Sequence, residues 1–410
     1  MKNTDYDIVI AGAGLAGASL ACLLKGSRYR ALVVDSKPLD IFSQGPNDSR
    51  GIALSSSSKK ILQTSNIWAS FESVASPIEH IHVSQKDSFG ITRIHASDEK
   101  IEALGYVLTL SHLTQGFHKF LQQDDSIQMK FSCDILDLQN SEDNVDLQLS
   151  KNGKKTLVST KLLIASDGIN SNIRKKLSIN TSTKNYGQSA IVANIETSEI
   201  CNSWAYERFT KSGPLALLPN KGNEWILVWT LPSEEAGDIF DLDNETFLKL
   251  LQGEFGSRCG AFLNVCSRQQ FPLIFTRAQK MYYKRTVLLG NAAHSFHPVA
   301  GQGFNLTLRD SAVLAELLDS SQKIIDPGDM KILQQYSQWR EKDSRKVARF
   351  TDFLGTIFTY QVPPLPVLRS CALFGMDLFP KLRKKIVRTG MGVEDRLPRL
   401  ACGIPLSYQL

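Results

Sequence analysis

The 410-residue chain has no apolar run that reaches the ~18 residues of a membrane-spanning helix, and with a first strand near Asp7 no signal peptide is expected. Its seven cysteines (Cys22, Cys133, Cys201, Cys259, Cys266, Cys371 and Cys402) are scattered, odd in number and without metal-ligand spacing. No metal is expected, and a reducing, cytoplasmic compartment is. No basic stripe interleaved with aromatics appears, so a nucleic-acid groove is not expected. Internal repeats and low-complexity tracts are absent too. What remains, 42% apolar and 21% charged residues, is the composition of a soluble globular enzyme with one large domain and a smaller one. The net charge of +6 is concentrated at one end: between Arg369 and Arg399 lie eight basic residues against three acidic ones.

Two glycine-rich segments carry the most information. The first runs from the apolar stretch Asp7-Ile8-Val9-Ile10-Ala11 into Gly12-Ala13-Gly14-Leu15-Ala16-Gly17. This is the dinucleotide fingerprint: Gly12 for a tight turn, Gly14 for close approach of a pyrophosphate, Gly17 for close packing of helix on sheet. A helix from about Leu15 to Lys25 aims its first N–H groups, Leu15 and Ala16 among them, at the phosphates. A second strand, Ala31–Val34, ends in Asp35, placed like the acid that binds a ribose. The fingerprint alone does not separate FAD from NAD.

The second segment is Leu288-Leu289-Gly290-Asn291-Ala292-Ala293-His294-Ser295-Phe296-His297-Pro298, continuing to Gly301-Gln302-Gly303-Phe304-Asn305. A polar side chain at Asn291 can bond cofactor hydroxyls. The helix opened by Gly301–Gly303 can stabilise negative charge on a reduced flavin ring. Between the two segments, Leu162–Ala165 reads as a strand, Asp167-Gly168 as a turn, and Ser171 as a helix cap.

The order of these three segments resembles the flavoprotein aromatic hydroxylases, the single-component FAD monooxygenases built like para-hydroxybenzoate hydroxylase, over nearly the whole chain. Asn47–Ser55, containing Arg50, resembles that family's flavin-contacting arginine stretch. Ala205-Tyr206-Glu207-Arg208-Phe209-Thr210 and Gly213–Pro219 resemble the substrate-sheet signature of its ubiquinone-biosynthesis branch. The chain departs from the parent pattern at Asn291, usually an aspartate, and at Asp35, usually a glutamate one methylene longer.

The resemblance implies an α/β fold: a Rossmann-like FAD-binding domain, an antiparallel-sheet substrate domain and a C-terminal helical tail. It implies FAD as cofactor, reduced by NADPH or NADH without a second nucleotide domain. O2 then gives a C4a-hydroperoxide whose distal oxygen attacks a polyprenyl phenol. Asp167 is implied at the pyrophosphate region and Arg50 at the flavin. Pro298, Gly301, Gln302, Gly303 and Asn305 would stand around the ring pocket. No residue stands out as an acid or base. His297, with His294 beside it, and Tyr206 are the candidates, against the commoner cases of a locally bonded histidine and a packed strand tyrosine. Two alternatives stay open: a flavin-dependent reductase or oxidase of a prenyl lipid, and a non-catalytic FAD-stabilised subunit of a ubiquinone-synthesis assembly.

The expected FAD-binding domain comprises 1–77, 97–182 and 276–355, and the substrate sheet 78–96 and 183–275. Trp204, Trp225 and Trp229 are candidates for its cavity wall, with core packing the alternative. Residues 356–410 form the expected tail, facing a membrane or a partner. Within it, Lys381, Lys384, Lys385 and Arg388 fall on one face of a short helix from about Pro380, either resting on the anionic inner membrane or simply solvated.

Overall fold

The computed structural model describes residues 4–43, 50–122, 126–295, 302–320, 326–357, 375 and 396–409. Two large sheets and one small one organise them. The first sheet has a parallel centre in the order Ile127–Lys130, Ala31–Val34, Tyr6–Ala11, Lys154–Ala165, Thr286–Leu288. Ile8, Val9 and Ile10 are all 0% exposed, so both faces of the central strand are covered. A continuous apolar run, rather than an alternating one, is what such a strand requires. The helix Leu15–Leu24 packs on this sheet beside Leu110–Leu121 and Gln302–Ser320. A meander of Cys133–Asn140 and Val145–Lys151 extends the sheet antiparallel to Lys154–Ala165.

The second sheet runs in the order His294–Ser295, Phe262–Ala278, Thr181–Thr197, Glu224–Pro232, Pro214–Pro219, Trp204–Phe209, His80–Gln85, Ile91–His95. All its pairs are antiparallel except Trp204–Phe209 with His80–Gln85, which are parallel and come from distant parts of the chain. One face is covered by the helices Ser233–Phe240 and Asn244–Phe255. There Leu215, Leu217 and Leu227 are 0% exposed. The other face packs on the small third sheet and its flank: Val192, Ala205 and Ile226 meet Ile78, Leu104 and Val107. The small sheet Gly51–Ser55, Gly105–Thr109, Ser76–Ile78 touches the second sheet through Ile78 and Val107, the helix Leu110–Leu121 through Gly105–Thr109 and the helix Gln302–Ser320 through Gly51–Ser55.

One expectation changes. Residues 396–409 do not face outward. Leu400 and Leu406 are fully buried, Arg399 Nη1 lies 3.1 Å from Asp319 Oδ2, and Tyr408 OH donates to Leu23 O at 2.8 Å. The end of the chain is thus fastened to the first domain, while the basic run Lys381–Arg388 lies outside the described residues. For Trp204, Trp225 and Trp229 core packing, the better of the two readings, is what the structure shows. They belong to the helix-covered core with Phe247 and Phe255. Among the described residues no helix is long and apolar enough to cross a membrane, and no cluster of three or more His, Cys, Asp or Glu is placed to hold a metal.

Candidate active site

The fingerprint glycines divide by what surrounds them. Gly12 has φ +105°, and a Cβ there would meet Ser166 O at 2.4 Å. A Cβ on Gly17 would lie 1.9 Å from Gly12 O and 2.6 Å from Ser166 Oγ. These two let the turn and helix sit against the strand Lys154–Ala165. A Cβ on Gly14 would meet nothing within 4 Å, and Gly14 is the N-cap of Leu15–Leu24 with no side-chain cap bond. The open space therefore lies at the helix N-terminus, where free N–H groups favour an anion.

Asp35, expected at a ribose, arranges this turn. Its Oδ2 accepts from Ala13 N at 2.6 Å and its Oδ1 from Lys37 N at 2.8 Å. From the other side His118 Nε2 donates to Ala13 O at 2.8 Å. Burial lowers the His118 pKa, which keeps the imidazole a neutral donor.

The distal segment meets the first directly. Gly290 has φ +61°, and a Cβ there would come 2.7 Å from Ala16 Cβ, so only glycine lets the turn approach the first helix. The next residue, Asn291, is exposed. Asp167 is tied to the helix after it, Oδ2 accepting from Ile173 N at 3.1 Å, but its Oδ1 is buried without a hydrogen-bond partner among the described residues. A buried carboxylate oxygen left open in this way is what a cofactor or its bound water completes. Arg174 joins the two segments, donating from Nη1 to Ala292 O at 2.8 Å and from Nη2 to Ile169 O at 2.7 Å. The residues present fit FAD: an uncapped helix N-terminus, an open acceptor and an exposed amide stand on three segments that the Gly290–Ala16 approach and the Arg174 bonds hold together.

Toward the ring end, Asn305 is 2% exposed and its side chain is engaged within the protein. Oδ1 accepts from Ser55 N at 2.8 Å and Ser58 Oγ at 2.7 Å, and Nδ2 donates to Ala53 O at 2.8 Å. Asn305 thus pins the helix Gln302–Ser320 to the strand that Arg50 precedes. Gln302 and Gly303 form the first turn of that helix, and a Cβ on Gly303 would meet nothing within 4 Å. Arg50 lies over the Phe271 ring, its guanidinium 4.8 Å from the centroid, on the sheet face turned to the first domain. His297, Pro298 and Gly301 lie outside the described residues.

The histidine and tyrosine candidates separate. His294 is buried, its Nε2 3.2 Å from Asp310 Oδ2, and Asp310 is also bonded to Arg340 Nε. Burial raises the Asp310 carboxyl, but Arg340 and His294 more than offset it, and the net shift is downward. His294 is therefore a structural tie of the distal segment to the helices behind it. Tyr206 stacks on Trp204 at 6.0 Å and meets Phe255 edge-on at 5.5 Å, and burial pushes its phenol up to about 12. It faces the covering helices, on the opposite side of the sheet from Phe271 and Arg50, as the commoner case of a packed strand tyrosine has it. The strand alternation Ala205-Tyr206-Glu207 carries that information, but only once the face that Ala205 packs on is known.

Comparison with known proteins agrees with this geometry. Residues 5–351 match the FAD binding domain family. The protein slr1300 of Synechocystis is 29% identical, covering 100% of this chain and 98% of its own length. The ubiquinone hydroxylase UbiL of Rhodospirillum rubrum is 30% identical, covering 98% of this chain and 93% of its own. Among solved structures, p-nitrophenol 4-monooxygenase PnpA from Pseudomonas putida superposes with a TM-score of 0.79 at 16% identity, over 95% of this chain and 99% of that one, a likeness of fold. The chain belongs to the FAD binding domain family, and within it to the family of the ubiquinone hydroxylase it matches almost end to end.

Proposed function

We propose that this chain is an FAD-dependent monooxygenase that hydroxylates the aromatic ring of a polyprenylated phenol in ubiquinone biosynthesis, with O2 and NADPH or NADH as co-substrates. One observation carries the reading: the open helix N-terminus at Gly14, the partnerless Asp167 Oδ1 and the exposed Asn291 stand on segments held together by the Gly290–Ala16 approach and by Arg174, in a chain matching a ubiquinone hydroxylase over 98% of its length. The N–H groups of Leu15 and Ala16 hold the pyrophosphate. Asp35 takes the ribose on lone pairs that Ala13 and Lys37 leave free. Asp167 and Asn291 bind along the ribityl-pyrophosphate chain. Gln302, Gly303 and Arg50, with Pro298 and Gly301, frame the ring end, and Asn305 positions the helix that carries it. FAD held there would supply the hydride-accepting and O2-activating chemistry, which these residues position against the substrate ring. The substrate sheet contributes an apolar, half-exposed surface of Ala216, Leu218, Val228 and Phe271 that holds the phenol and excludes water.

The purified protein should be yellow and should oxidise NAD(P)H with O2 uptake and incorporation of labelled oxygen into the ring. A deletion strain should accumulate an under-hydroxylated prenylphenol, and normal ubiquinone in that strain would overturn the assignment. Asn291, in place of the parent family's aspartate, favours 2-octaprenyl-6-methoxyphenol as the substrate. Mass spectrometry of the accumulated intermediate identifies the ring position. Such a phenol resides in the bilayer, so the enzyme works at the inner-membrane surface, through the basic run Lys381–Arg388 or alongside other ubiquinone-synthesis proteins. Liposome flotation of wild type against a variant neutralised at those four charges tests that contact.

A further inference from the structure

The two faces of the substrate sheet differ in a way that singles out one side chain. On the helix face of the central strands Leu215 and Leu217 are 0% exposed and Trp229 1%. On the face toward the first domain the intervening residues Val83, Glu207, Ala216, Leu218, Val228 and Phe271 are only half-buried. The pairing places them side by side: Glu207 opposite Ala216, Ala216 opposite Val228, and Glu207 beside Val83 on its other edge. Ala205, two residues before Glu207, packs in the contact between sheet and first domain, which fixes the direction Glu207 faces. Its sequence neighbour Arg208 points the opposite way, donating from Nε to Glu254 O of the covering helix.

Glu207 is thus a carboxyl set among small and apolar side chains on a half-open surface facing the FAD domain, and no hydrogen bond or ion pair holds it among the described residues. The charged groups nearby act elsewhere. Lys86 pairs with Glu254 on the helix face, as does Arg208, and Arg50 lies over Phe271, four strands across the sheet. The titratable side chains of the adjoining strands, His80, His82 and His95, belong to the helix face with Trp204 and Tyr206. Burial alone moves the Glu207 carboxyl, pushing it up to about 7. An unpaired carboxyl in an apolar setting is destabilising, and it is kept where chemistry uses it.

Resting on the proposed hydroxylation, we infer that Glu207 is the general base that takes the proton of the substrate's phenol hydroxyl. The phenol O–H bond breaks, an O–H bond forms on the Glu207 carboxylate, and the electron pair stays on the phenolate oxygen. From there it is delocalised into the ring and raises the nucleophilicity of the carbon to be hydroxylated. As the hydroxylated ring regains aromaticity its carbon-bound proton leaves to water and Glu207 returns its proton to the oxygen, so the carboxylate is restored. A base near pH 7 is closer in strength to a phenol than an ordinary carboxylate and still half ionised at working pH.

The test compares wild type with Glu207→Gln, each loaded with FAD, on a phenol that the wild type hydroxylates. In the wild type, kcat should rise with pH to a plateau with a midpoint near 7. In Glu207→Gln it should fall roughly 100-fold, lose that rise, and keep FAD content and KM nearly unchanged. A ring-fluorinated analogue ionised at assay pH should recover most of the lost rate. Infrared titration of the wild type without substrate should show a protonated-carboxyl band that disappears near pH 7 and is absent in the variant. A variant with the wild-type rate and pH profile would overturn the role of Glu207, whereas a wild type that hydroxylates no phenol would instead overturn the proposed function.

Discussion

Gly14→Ala and Gly17→Ala look equally conservative, yet the structure assigns them opposite failures. At Gly14 a methyl group meets no protein atom within 4 Å, and its φ of −69° suits alanine. Alanine is a poorer N-cap than glycine, by about 1 kcal/mol, but stiffens the unfolded chain by about 0.4–1 kcal/mol, so the apoprotein's stability should change little. The methyl group instead occupies the space at the helix N-terminus where a pyrophosphate must approach. Losing one charge-assisted hydrogen bond there costs about 1.5–3 kcal/mol, a roughly 10- to 100-fold weaker affinity for FAD. At Gly17 the methyl group would lie 1.9 Å from Gly12 O, a backbone atom that cannot move aside, so Gly17→Ala should fail to fold or lose several kcal/mol. Quenching of FAD fluorescence measures affinity, and thermal unfolding of the apoprotein measures stability. A Gly14→Ala protein binding FAD as tightly as wild type would refute the placement of the phosphates at this helix.

Three further outcomes follow from the packing. Arg340→Met strands the buried Asp310 carboxylate and should cost about 3–5 kcal/mol in urea unfolding, while the double change Asp310→Leu with Arg340→Met should recover most of it; a loss under about 1 kcal/mol for the single variant would contradict the pairing. Because Arg340 and His294 hold the Asp310 pKa down, that stabilisation is present above the ordinary carboxylate range and is lost as pH falls through the lowered value, which acid unfolding of wild type against the double variant measures. Alkylation of the native protein at neutral pH should label the exposed Cys266 and Cys402 and spare the buried Cys22, Cys133, Cys201 and Cys259, burial having raised the Cys201 thiol to about 11; rapid labelling of Cys201 would contradict its place in the core.

The nucleotide end was legible because its chemistry is local. The strand Ala31–Val34 has the expected bounds, the helix Leu15–Leu24 ends one residue early, and Ser171 caps its helix as read, accepting from Arg174 N. Fold class and cofactor were legible from the order of the three segments and the family they resemble, although the close approaches that demand glycine, Gly12 and Gly17 against Ser166 and Gly290 against Ala16, join distant parts of the chain. The ties that hold the site together were not. Arg174 reaches Ala292 across 118 residues of sequence, and His118 reaches Ala13 across 105. Nothing in a stretch of sequence says which backbone carbonyl a distant arginine will meet. The substrate sheet fails differently: period-2 alternation separates Tyr206 from Glu207 but does not say which of them faces the cofactor domain. That depends on which face the helices Ser233–Phe240 and Asn244–Phe255 cover, and it moved attention from the tyrosine to the glutamate.

The parallel seam between His80–Gln85 and Trp204–Phe209 bears on how the polypeptide is made. At roughly 5–20 residues per second, a ribosome needs on the order of 6–24 seconds to add the second strand after the first has emerged. Through that interval the hairpin His80–His95 has an unclaimed border, open to pairing with a neighbouring nascent chain. Slower translation should lengthen this exposure and increase insoluble product, and a holdase that shelters the hairpin should reverse the loss.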